Sequence, residues 1–145
     1  MSSITIFYSI FGNNKRIATD LAEKKDSNLI EFAPGSILRV FSFFIGKKRL
    51  EKKAKEIDIT AYNHIDICGP IWARKPAPAV IKLLENLDLD GKSINCHFTF
   101  SQDYAETESL VKELVKGKGG DLIEINFTKI KEDNQQLQKI FNNEE

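Results

Sequence analysis

Residues 4–22, ITIFYSIFGNNKRIATDLA, change period at one glycine, from strand-like to helix-like. Ile4 to Ser9 is a short apolar run rich in β-branched and aromatic residues, as in a strand buried on both faces. From Asn13 onward Ile17, Ala18, Leu21 and Ala22 recur on one helical face, with Lys15, Arg16, Asp20 and Lys24 elsewhere. A strand therefore runs through a tight turn into a helix. The basic leader of a signal peptide is missing before the apolar run, so MSSITIFYSI reads as a first strand.

The same switch recurs along the chain. Asn28–Phe32 reads as a second strand, punctuated by Pro34-Gly35. Ile65–Gly69 is a third, followed by the loop PIWARKPAP and a helix carrying Val80, Ile81, Leu83, Leu84 and Leu87. After the Asp90-Gly91 turn come a fourth strand, Ser93–Phe100, and a helix marked by Leu110, Val111, Leu114 and Val115 and closed by GKGG at 117–120. Asp121–Phe127 is a fifth strand, and Leu137, Ile140 and Phe141 mark a last helix. Five strands alternating with five helices specify an α/β fold, a parallel sheet covered on both faces by right-handed crossovers. In 145 residues this predicts one domain, 1–145, with doubly wound strand order 2-1-3-4-5.

Composition narrows the function. Acidic and basic residues balance at 21 each, which argues against a surface built for nucleic acid. No stretch reaches the ~20 apolar residues of a membrane span. Cys68 and Cys96 fall inside strands, with neither a disulfide framework nor a CxxC pair, as expected of reduced thiols in a cytoplasmic protein. His64 and His97 form no metal-ligand spacing. No GxSxG is present, and Ser9 and Gly69 stand where a receiver domain needs acidic residues. No catalytic acid or base is singled out.

The winding order puts a ligand crevice at the carboxyl ends of strands 1 and 3. Ser9-Ile10-Phe11-Gly12-Asn13-Asn14 follows strand 1 and enters a helix. Such a turn presents backbone N–H groups, and the helix N-terminus adds positive charge, which suits a phosphate. The bland alternative is an ordinary helix start capped by Asn13. The turn is neither GxGxxG nor a Walker loop. After strand 3, Pro70, Ile71, Trp72, Ala73 and Arg74 carry the chain's one tryptophan among three prolines, a stiff indole suited to a planar ring. After strand 4, Thr99, Phe100, Ser101, Gln102 and Tyr104 give a polar cover with two aromatics.

YSIFGNNKRIA at 8–18 and YNHIDICGPIWARKPAPAV at 62–80, with INCHFTF at 94–100, resemble the flavodoxin family, above all its short single-domain members. The resemblance implies non-covalent FMN. Its phosphate would rest on residues 9–14, its ring against Trp72 and the 70–74 backbone, and residues 99–104 would edge the ring, with Tyr104 a second ring partner. It implies an electron-transfer protein with a redox partner. Two alternatives stand beside that: an NAD(P)H-dependent flavin or quinone oxidoreductase on the same fold, and a flavin-free domain that binds a phosphate ligand or a partner. Phe11 and Asn14 depart from the hydroxyls common in the family's phosphate loop, and an aromatic at 11 is similar to the quinone-reductase branch. Arg74 stands where related loops often have Gly. A peptide flip at that point on reduction needs positive φ, costly without Gly, so the departure argues against a stabilised semiquinone. Arg74 and Lys75 beside the ring would raise its potential.

Two further features call for an account. Strands 3 and 4 alternate, with Ile65 and Ile67 against His64, Asp66 and Cys68, and Ile94, Cys96 and Phe98 against Asn95, His97 and Thr99. Asp66 is thereby expected beside His97, chiefly as a satisfied polar cluster. Residues 36–46, SILRVFSFFIG, hold seven Ile, Leu, Val or Phe and precede a basic run, Lys47, Lys48, Arg49, Lys52, Lys53 and Lys55. They read as a buried helix, a homodimer patch or a membrane-surface contact.

Overall fold

Strand β1 (Ser3–Phe7), helix α1 (Asn13–Lys25) and strand β2 (Asn28–Glu31) open the computed structural model, which describes residues 2–10, 12–32 and 47–130. Helix α2 (Lys47–Lys55), strand β3 (His64–Trp72), strand β4 (Lys75–Pro76), helix α3 (Pro78–Asn86), strand β5 (Ser93–Phe100), helix α4 (Thr107–Gly117) and strand β6 (Asp121–Lys129) follow. The sheet runs β2-β1-β3-β5-β6, every neighbour parallel. Setting aside the two-residue β4, this is the predicted order 2-1-3-4-5. Phe11, segment 36–46 and the last helix at 137–141 lie outside the described residues.

The alternation in the strands sorts the two faces. Ile4, Ile6, Ile65, Ile67, Ile94, Cys96 and Phe98 point to one side, where Leu50 and Ala54 of α2, Val80, Leu83 and Leu84 of α3, and Val111 and Val115 of α4 close the main core. On the other side Phe7 and Cys68 meet Ala18 of α1 in a smaller cluster. Gly69 sets how closely α3 approaches. A Cβ there would run into Val80 Cγ2, and a β-branched helical side chain has almost one rotamer and cannot yield. Gly69→Ala is expected to cost about 1–3 kcal/mol by overpacking. Chemical denaturation measures it, and Gly69→Ala combined with Val80→Ala should recover part of the loss.

Several strand ends shift by one or two residues from the sequence reading, and the end of β3 by three. Strand β3 continues to Trp72 instead of ending at Gly69, because its ladder with β5 extends to Pro70 opposite Thr99. The chain then doubles back, pairing Ile71 with Pro76 and Trp72 with Lys75 in an antiparallel hairpin. The stretch read as a loop is therefore a strand end and a tight turn.

Candidate functional site

Helix α1 starts without a side-chain cap. Its N-cap is Gly12, not Asn13, at φ 95°, a left-handed conformation that glycine adopts without a Cβ penalty. The buried Ser9 hydroxyl accepts the Gly12 N–H at 3.0 Å and holds the turn from below. Asn14 is buried in the first helical turn. Its Nδ2 donates to Thr99 Oγ1 at 2.9 Å, while its Oδ1 has no partner. Leaving a buried amide oxygen unmatched costs about 1–3 kcal/mol. Rotating the amide by 180° lets the Thr99 hydroxyl donate to Oδ1 and frees Nδ2 as a donor at the helix N-terminus, where an anion would complete it.

The second wall is the β3–β4 hairpin. Its turn residues Ala73 and Arg74 both have positive φ, 52° and 75°. The backbone thus takes the conformation that the sequence made costly without Gly, at about 1–2 kcal/mol per residue. The Arg74 carbonyl is held by the Glu106 N–H at 3.1 Å and the Thr107 hydroxyl at 3.0 Å. The Arg74 Nε donates to Asp103 Oδ2 at 2.9 Å. That bond first, and the Ala105 N–H second, keep the Asp103 carboxyl below the usual carboxylate range. The Arg74 charge therefore has a counter-charge in contact.

Between the hairpin and the loop after β5 lies a cleft of about 170 Å³ lined by Ile71, Trp72, Ala73, Arg74, Ser101, Gln102 and Asp103, with no lining residue from the turn at 9–14. Six of the seven are residues singled out from the sequence. Asp103, not named singly, lies within the 99–104 loop expected to edge the ring. Trp72 is half-buried and meets the ring of Tyr8 edge-on at 6.1 Å, which sets the cleft beside the turn that begins at Ser9. Pro70 and Thr99 are buried behind the cleft. Ile10 and Asn13 are half-buried in the first loop, and Phe11 lies outside the described residues. Tyr104 stacks on Phe127 at 3.9 Å and meets Phe100 edge-on at 4.7 Å, and it is not among the residues lining the cleft.

Below Thr99 on the same face lies the polar cluster. His97 Nε2 is 2.9 Å from Asp66 Oδ1, as the alternation predicted. Lys25 Nζ donates to both Asp66 oxygens at 3.0 and 3.1 Å, and His64 Nε2 comes within 3.2 Å without hydrogen-bond alignment. Asn126 Nδ2 lies 3.2 Å from His97 Nδ1 on the other side of the ring, and Nε2–H donates to the Asp66 carboxylate. Burial alone would raise the Asp66 pKa, but the His97 bond and then Lys25 outweigh it and hold the carboxyl low.

No protein-family model matches the chain, and none of the curated proteins does. Solved structures do. A flavoprotein of Lactobacillus acidophilus in complex with FMN is 20% identical over 95% of this chain and 97% of its own, with a TM-score of 0.63. A candidate flavoprotein of Bacteroides eggerthii is 17% identical over 97% and 98%, TM-score 0.66. The two-electron reduced flavodoxin of Megasphaera elsdenii is 16% identical over 91% and 89%, TM-score 0.62. Identities this low speak to architecture and not to the residues of a site. Together with the strand order they establish that the chain has the flavodoxin-like fold.

Proposed function

We propose that the chain binds FMN non-covalently at the carboxyl ends of β1, β3 and β5 and serves as an electron carrier. The observation that carries this reading is the coupling of two half-sites. An uncapped helix N-terminus with an unsatisfied buried Asn14 amide is bonded to Thr99, and Tyr8 links the same turn to the Trp72 cleft. The residues fit the group. Gly12 has open space on its Cβ side, Asn14 with its amide turned has a donor to give, and the half-buried indole offers a planar ring surface. The cleft is small beside the ~300–1,000 Å³ of ordinary ligand pockets, so the ring would be held by one part and reach solvent with the rest. When bound, FMN supplies the redox chemistry. The protein's residues would bind the phosphate, orient the ring and fix the charge around it.

Two related structures determined with FMN, from L. acidophilus and Fusobacterium nucleatum, support the reading by analogy of fold. Among the described residues no helix is long and apolar enough to cross a membrane. Cys68 and Cys96 are buried free thiols, burial raising the pKa of Cys96 to about 12 and that of Cys68 further. Two free cysteines with no disulfide between them fit a reducing compartment, and on that ground we propose a cytoplasmic location.

The experiment is a titration of the apoprotein with FMN, followed by Trp72 emission, unambiguous because the chain has one tryptophan. Expected is quenching to a micromolar or tighter end point, about −8 kcal/mol or beyond. Trp72→Leu should weaken binding about tenfold through lost ring contact. An apoprotein whose emission and whose added flavin spectrum both stay unchanged would sink the reading. Steady-state NAD(P)H oxidation with a quinone acceptor distinguishes carrier from reductase.

A further inference from the structure

Helix α4 has no side-chain cap, and the acceptor that meets its start comes from a distant turn. The Arg74 carbonyl takes both the Glu106 N–H and the Thr107 hydroxyl. Free N–H groups at a helix start need an acceptor, and a carbonyl in a strained turn needs a reason to stay there. Each requirement here answers the other. Thr107 is fully buried, so its hydroxyl has no water to turn to. The other link across the cleft, Arg74 with Asp103, joins two exposed side chains, a type of pair that contributes little.

We infer that Thr107 is a positioning residue for the cleft. Its hydroxyl anchors the Arg74 carbonyl to the start of α4 and so keeps the 72–75 turn in the left-handed conformation that faces Ser101–Asp103. The role in cofactor binding rests on the FMN reading, and the role in holding the turn does not. The Ala73 and Arg74 conformations are disfavoured for residues with a Cβ, so removing the anchor lets the turn relax and the two walls part. The ring slot is thus shaped in advance by a residue that does not line it.

The test compares Thr107→Val, which keeps the shape and deletes the hydroxyl, with Thr107→Ser, which keeps the hydroxyl. Trypsin reads the turn without any ligand. It can cut the Arg74–Lys75 bond, whereas Pro76 protects the bond after Lys75. Expected is cleavage at Arg74 about fivefold or more faster in Thr107→Val, the size of one lost hydrogen bond, and near the native rate in Thr107→Ser. The FMN dissociation constant should rise by a similar factor in Val and return in Ser. Equal cleavage and equal affinity in Val and native protein overturn the inference. So does faster cleavage spread evenly along the chain, which marks general destabilisation. If the native protein ignores FMN, the function reading falls, and the cleavage ratio alone decides the anchor.

Discussion

Replacing Asp66 by alanine is expected to cost about 3 kcal/mol of stability at neutral pH, the low end of the 3–5 kcal/mol typical when one partner of a buried ion pair is removed. The low end applies because Lys25 is one-third exposed and can turn to water once its carboxylate is gone. His97 is more enclosed, and its Nε2–H would be left facing a cavity. Asp66→Asn keeps the shape and an acceptor, and should lose about 1–2 kcal/mol. The acid limb separates charge from shape. Asp66 has a folded pKa below its ordinary 3.8, so its contribution is complete above 3.8 and disappears as the pH falls through the folded value. Urea unfolding of native protein should weaken over that window, and the Asp66→Asn variant should show a shallower decline. A native-like midpoint for Asp66→Ala at pH 7 would mean that the cluster carries no stability.

That cluster also shows how far the sequence could be read. Asp66 and His97 were brought together by counting alternate residues on two strands taken as neighbours, and register bears this out, with Cys68 opposite His97. Lys25 could not be found that way. Its reach to Asp66 depends on where α1 ends, and that end is set by Asp26 in a left-handed conformation with no glycine to announce it. The β3–β4 hairpin was hidden for a similar reason. A two-residue turn of this hand normally advertises itself with Asn-Gly, and Ala73-Arg74 does not. Its stability is supplied from outside, by Glu106 and Thr107, and contacts between segments some thirty residues apart have no local pattern. Tyr104 fell to the same limit: its stacking partner Phe127 lies on a strand whose register slips at Ile94/Asn95, so no count along β6 places it.

The turn between β1 and α1 was legible in position, and its detail leads to the sharpest test of the proposed phosphate site. The bland alternative made Asn13 the cap, whereas Gly12 occupies that place and Asn14 turns inward to Thr99. Asn14→Asp then does opposite things to the two states of the protein. In the free protein a carboxylate in the first turn of α1 gains about 0.3–1 kcal/mol from the helix N-terminus and can accept the Thr99 hydroxyl, which offsets much of its burial. Beside a phosphate the same carboxylate can donate nothing and repels. Unit like charges about 4 Å apart oppose each other by about 4 kcal/mol at an effective dielectric of 20. FMN affinity should fall more than about 100-fold, beyond 2.7 kcal/mol, while the urea midpoint of the free protein moves little. Riboflavin, which lacks the phosphate, should bind native and variant protein alike. Asn14→Thr, which restores a donor, should stay within about tenfold of native, one hydrogen bond to a charged group being worth 1.5–3 kcal/mol and here exchanged rather than lost. An Asn14→Asp protein that held FMN as tightly as the native chain would place the phosphoryl group somewhere other than the start of α1.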